Sequence, residues 1–225
     1  MKLWHIWLLG GLILMAILDC DSYTKNVNLE SFLPNSEGVL TLDEDQAVFS
    51  DESCSQIKCG NGYMSEVSET IWNLGTSKAF EIVLTQGYDQ SKYKLLAFQD
   101  NNGNVSISIS EDGGKGVQVI NDILCHTTNP IEFIDVNYDG YADLQLNLGG
   151  TLNELHKLFV WTPTLNEFLE VTCDYPLSYF EVYDGYLKNW VKNSSTSTEV
   201  QILVWENPHT LSLEYETTIE LEDVA

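Results

Sequence analysis

Leu211-Ser212-Leu213-Glu214-Tyr215-Glu216-Thr217-Thr218-Ile219-Glu220-Leu221-Glu222 alternates apolar and polar side chains almost without a break. A period of two belongs to a β-strand, whose successive side chains point to opposite faces. The pattern predicts Leu211, Leu213, Tyr215, Thr217, Ile219 and Leu221 on a core and the glutamates on an outer face. An acidic outer row of this kind discourages edge-to-edge pairing of strands.

Working back along the chain, shorter runs of the same character recur between turn residues. Phe80–Gln86, Tyr93–Gln99, Val105–Ser110, Val117–Ile120, Ile131–Val136, Leu144–Leu148, Lys157–Trp161, Phe168–Val171, Tyr179–Tyr183, Tyr186–Val191 and Val200–Trp205 are rich in aromatic and β-branched residues. Asp100-Asn101-Asn102-Gly103 and Tyr183-Asp184-Gly185-Tyr186 supply hairpin turns, since Asn and Gly tolerate positive φ. No segment carries a convincing amphipathic helix. The expected fold class is mainly β, an antiparallel β-sandwich or distorted barrel.

The amino-terminal end has another character. Lys2 precedes an apolar run from Leu3 to Leu18, and the chain turns polar just after Cys20. This reads as an export signal over residues 1–19, with an uncleaved membrane anchor as the alternative. Residues 20–52 are acidic and aperiodic and read as a tether. A β domain is expected over 53–225.

The net charge is −24, with ten basic residues against 34 acidic ones, and removal of 1–19 takes away one of each. Such a surface repels nucleic acid and anionic headgroups, so neither is expected as a partner. Cationic partners are drawn in, at a rate that salt lowers. Of the five cysteines, Cys20 is set apart by its place at the end of the apolar run. Cys54, Cys59, Cys125 and Cys173 remain. Four cysteines in an oxidising compartment suggest two disulfides of undetermined pairing, and their spacing does not match a thiolate metal site.

The sharpest motif is Asp135-Val136-Asn137-Tyr138-Asp139-Gly140-Tyr141-Ala142-Asp143, a D-x-N-x-D-G-x-x-D loop. Side-chain oxygens at Asp135, Asn137 and Asp139 turn toward one centre as the loop curls. Gly140 permits the bend, the Tyr141 carbonyl can join, and Asp143 closes the far side. These are hard oxygen donors in the order Ca²⁺ uses. An Asx-rich turn without metal is the plain alternative, but a chance match in a chain of this length is on the order of one in a thousand. The twelfth position is Leu146 rather than the glutamate of an EF-hand, and the flanks read as strands. A structural brace is therefore expected rather than a calcium sensor.

Three resemblances follow from these residues. Ile17-Leu18-Asp19-Cys20 resembles the lipobox of bacterial lipoproteins, with Asp19 standing where a small residue is usual. That implies lipidation at Cys20 and a cell-envelope location, periplasmic or surface. The order of strand types and the calcium loop over Ile131–Val171 resembles bacterial lipoproteins related to immunity proteins and to invertebrate-type lysozyme inhibitors. A fainter echo covers Cys54–Ile57 and Leu95–Ile109. The loop is also similar to a single FG-GAP-like repeat of integrin-like propellers, but one copy makes no propeller. The inhibitor resemblance implies a non-enzyme that plugs the cleft of a cationic peptidoglycan hydrolase. The loop Leu148–His156, with Asn153, Glu154 and His156, is the candidate plug.

Other classes are weaker. No H-E-x-x-H, G-x-S-x-G or Walker pattern occurs, and Cys125 and His126 are neighbours whose side chains diverge in a strand. A hydrolase built on two carboxylates is left without a distinguished pair. A carbohydrate-binding or adhesion module could stack sugars on Trp161, Trp190 or Trp205, although Trp161 and Trp205 lie in apolar runs that suit a core.

Overall fold

The computed structural model describes residues 48–220 apart from 75 and 112–115. The signal, the lipobox, Cys20 and most of the acidic tether therefore lie outside the described residues, as does Leu221. Among the described residues no helix is long and apolar enough to cross a membrane. Among the described residues the chain is mainly β, in three antiparallel sheets with no closed barrel.

The first sheet is a meander of six strands in chain order: β1 (Val48–Lys58), β2 (Met64–Leu74), β3 (Ser77–Thr85), β4 (Lys92–Gln99), β5 (Asn104–Glu111) and β6 (Gly116–Leu124). The second sheet has the order β10-β9-β8-β7, from β7 (Ile131–Ile134), β8 (Asp143–Gly149), β9 (Leu155–Thr162) and β10 (Glu167–Glu170). The third runs β11 (Tyr179–Tyr183), β12 (Tyr186–Lys192), β13 (Ser197–Asn207) and β14 (Thr210–Glu220). Strand β1 and most of β2 have no counterpart among the clearest apolar runs. Val67 shares its face with the polar Ser65 and Glu69 there, and Glu66, Ser68 and Thr70 occupy the other, so no apolar stripe forms.

Two cores share the second sheet between them. Phe80, Ile82, Leu95 and Ile107 of the first sheet pack with Leu144, Leu146, Phe159 and Trp161 of the second. Leu158 and Val160, from the other face of β9, pack with Leu187, Leu203 and Leu211 of the third. The second sheet is thus the middle layer, covered on both faces, and β8 is buried at every residue from Asp143 to Asn147. Burying a polar run such as Asp143, Gln145 and Asn147 requires partners for every polar atom. Those partners shape the site described below.

The last strand departs from its sequence pattern. Leu213 pairs with Leu203, but the next pair is Tyr215 with Ile202, so Glu214 is an extra residue in the ladder. A bulge of one residue moves all later side chains to the opposite face. Leu211 and Leu213 join the second core, whereas Tyr215 and Ile219 emerge on the outer face, 57% and 50% exposed. The expected single core stripe is therefore two half-stripes on opposite faces.

The expected disulfides are also absent, and Cys54, Cys59, Cys125 and Cys173 are free thiols. Cys54 and Cys59 are separated by five steps of extended chain, roughly 17 Å, far beyond disulfide reach. Cys125 is sealed in the first core and Cys173 lies against the second. Burial pushes the Cys125 thiol up to about 11, which leaves it an unreactive apolar filler.

Candidate metal centre

Strands β7 and β8 pair with Ile134 opposite Asp143, so residues 135–142 form the connection of a β-hairpin. The chain reverses through two residues in the left-handed region, Tyr138 at φ 63° and Gly140 at φ 97°. Gly140 suits this conformation at no steric cost. A side chain there would also press on the Tyr63 ring, 3.1 Å away.

The loop oxygens are turned to backbone N–H groups. The Asp135 Oδ2 accepts from the N–H of Gly60 at 2.6 Å and of Gly140 at 3.0 Å, and its Oδ1 accepts from Asp139 at 3.2 Å. The Asn137 Oδ1 also accepts from the Asp139 N–H, and the Asn137 Nδ2 donates to Asp139 Oδ2 at 2.9 Å. The other oxygen of Asp139 accepts from the Tyr141 N–H. Asp143, fully buried, accepts from the N–H of Val136 through one oxygen and of Trp161 through the other. It thereby ties the start of the loop to strand β9.

Three neighbours from the first sheet hold the hairpin from outside. The Gly60–Gly62 turn lies against Tyr138, so closely that a Cβ on Gly60 would stand 2.3 Å from the Tyr138 carbonyl oxygen. The buried Gln86 amide pairs with the backbone of Ala142, accepting at 2.7 Å and donating at 3.1 Å. The Tyr88 ring packs against both Tyr63 and Tyr141, with centroids 5.1 and 5.3 Å away. Sequence reading named neither Gly60 nor Gln86 for this site. The Gly60-Asn61-Gly62 turn was readable, but its contact with a loop some 75 positions later was not.

Electrostatics makes the arrangement costly. Burial drives the Asp143 carboxyl well above the usual carboxylate range, and the charges of Asp139 and Asp135 push the same way. Burial also raises Asp135, against the pull of its N–H donors. Asp139 is raised by burial and by Asp135, but it is exposed as a whole residue, so solvent screening limits that effect. The ion pairs Lys94–Glu81 and Lys157–Glu170 involve none of these residues. Among the described residues, no three His, Cys, Asp or Glu side chains are gathered as they stand to hold a metal. The Asn137 amide nitrogen occupies one oxygen of Asp139, while the Asn137 oxygen and the other Asp139 oxygen accept from the loop backbone.

Asn153 latches the 150–154 loop to the third sheet: its Oδ1 accepts from the Lys192 N–H at 2.8 Å and its Nδ2 donates to the Lys192 carbonyl at 3.0 Å. Glu154 accepts a short hydrogen bond from Asn147. The His156 Nδ1 is 3.2 Å from Gln145 Nε2, and its ring stands edge-on to Phe180. What the loop offers to solvent is Gly150, Thr151 and Leu152. Trp161 is in the first core, Trp205 packs against the second, and Trp190 sits half-buried under Lys188, 4.7 Å from its ring.

Two predictions arise here. Asn153→Ala removes two bonds to the Lys192 backbone and a longer one from the buried Ser178 hydroxyl and is expected to cost about 1–2 kcal/mol, read by urea unfolding, with faster amide exchange at Lys192. The second concerns His156, whose ring burial holds below the usual imidazole value despite the charges of Glu154 and Glu132. The unfolded chain then takes up its proton at higher pH than the folded domain. Stability is level at alkaline pH and falls as pH drops from the unfolded value to the lower folded one. His156→Gln should flatten that acid-side slope in a series of urea midpoints, and an unchanged slope would discard the assignment.

No protein-family model matches the chain, and no curated protein or solved structure matches it either.

Proposed function

We propose that this is an exported, non-enzymatic binding protein of the cell envelope, braced by Ca²⁺ at Asp135–Asp143, that blocks a cationic lysozyme-like hydrolase. What supports the metal half is repulsion among Asp135, Asp139 and Asp143: the charges of Asp139 and Asp135 raise the Asp143 carboxyl, and Asp135 and Asp143 are buried. A divalent cation turns that repulsion into coordination. Asn137 Oδ1 and Asp139 Oδ1 each keep a lone pair beyond the bonds described, and Asp143 keeps one on either oxygen. Opening the Asn137–Asp139 bond would free a further oxygen on Asp139. The ion's role is structural: it fixes the hairpin between the first two sheets.

The blocking half rests on net charge and on the resemblance of the Ile131–Val171 segment to lysozyme inhibitors. The tip Gly150–Leu152 is the part of the candidate plug free to enter a cleft, while Asn153, Glu154 and His156 hold its base. A pre-fixed loop enters a cleft with little ordering cost. The test is a titration of lysozyme-type enzymes of both invertebrate and goose classes with the purified chain. Loss of turnover at a stoichiometric dose, relieved by Leu152→Asp, supports the reading. Undiminished turnover across the panel at a large excess of the chain overturns it.

A further inference from the structure

Strand β14 ends the third sheet, and its outer edge meets a neighbour only at its beginning. There the Leu211 N–H donates to the Thr172 carbonyl at 2.9 Å. From Ser212 to Glu220 no strand is paired with that edge among the described residues. A free edge presents main-chain donors and acceptors in a row and is a template for another strand. The Glu214 bulge sets the side chains beside it: Tyr215 and Ile219 on one face, Glu216 and Glu220 on the other, all exposed.

We propose that this edge accepts an extended segment of a partner in which basic and apolar residues alternate, adding a fifth strand to the sheet. An added strand would lay its apolar residues beside Tyr215 and Ile219 and its basic ones beside Glu216 and Glu220. Cross-strand pairs of opposite charge and of aromatic with aliphatic residues are each favourable. A second copy of this chain fits poorly. Antiparallel pairing of two β14 edges about Thr217 sets Glu214 opposite Glu220 twice, on molecules that each carry −24. Like charges directly opposite are destabilising. The occupant is therefore basic, in keeping with a surface whose net charge steers cations toward it. This inference rests on the reading of the partner as cationic, and it adds the mode of contact.

The experiment uses the full chain and a synthetic peptide of alternating lysine and valine. Its twin has the same sequence, N-methylated at alternate residues. The twin keeps charge and composition but cannot pair along one edge. Expected are at least about tenfold tighter binding of the unmodified peptide, slowed amide exchange within Tyr215–Glu220, and loss of the preference in Glu216→Lys/Glu220→Lys. Equal affinity for both peptides, or exchange slowed elsewhere but not in β14, overturns the inference. The two readings fail separately. Peptide binding without inhibition of any hydrolase removes the proposed function alone. Inhibition that survives the double charge reversal, with no peptide preference, removes this inference alone.

Discussion

Saturating Ca²⁺ is expected to raise the melting temperature of the chelator-stripped protein by about 5–10 °C. The figure follows from linkage: a ligand at about a hundred times its Kd stabilises the folded state by about 2.7 kcal/mol, and each kcal/mol moves a domain of this size by about 2–4 °C. The gain comes from three carboxylates that the folded chain holds against burial and against one another. Mg²⁺ should do much less, because it demands a tighter octahedron and gives up water reluctantly. Asp139→Asn keeps an acceptor for the Tyr141 N–H but removes one charge, and should weaken the response by about tenfold in affinity. Calorimetric titration together with thermal melts measures both. No heat and no shift in melting would leave the hairpin as an Asx-rich turn that needs no ion.

Gly60→Ala should be the most damaging small substitution at the site, costing about 3–5 kcal/mol in urea unfolding. Its new methyl would lie 2.3 Å from the Tyr138 carbonyl oxygen, and the obstacle is backbone, which cannot swing aside like a side chain. Overpacking of that kind costs about 1–3 kcal/mol. The forced shift also breaks the 2.6 Å bond from the Gly60 N–H to Asp135, and bonds to charged groups contribute about 1.5–3 kcal/mol. Gly62→Ala is the control. It meets open space, but at φ 80° a side chain is strained, so about 1 kcal/mol is expected. Similar costs for the two would mean that the Gly60 contact with the loop does not govern stability.

The sites of failure in sequence reading share a cause. Strands β3 to β13 were legible because their apolar residues repeat within a few positions. The turn at Asp135–Asp143 was legible for a similar reason, the spacing of its Asx and Gly residues being local. Strand β14 was read as a strand, yet its facing was misjudged. A bulge at Glu214 leaves no trace in an alternating sequence, since the strand continues without a break and only the pairing slips. The thiols were misjudged because a count of cysteines carries no distances.

Sequence alone thus determined that the chain is built of antiparallel strands and that one hairpin connection is an Asx- and Gly-rich turn. Both properties live in spacings of two to eight residues, where backbone geometry fixes which side chains can meet. Tertiary structure alone decided that the second sheet is the buried middle layer, and that Gly60 and Gln86 clamp the loop. It also decided that Asn153 is a latch and that Tyr215 and Ile219 face solvent. Those outcomes depend on which distant strands pack or pair and in what register, and no local pattern of residues encodes that choice.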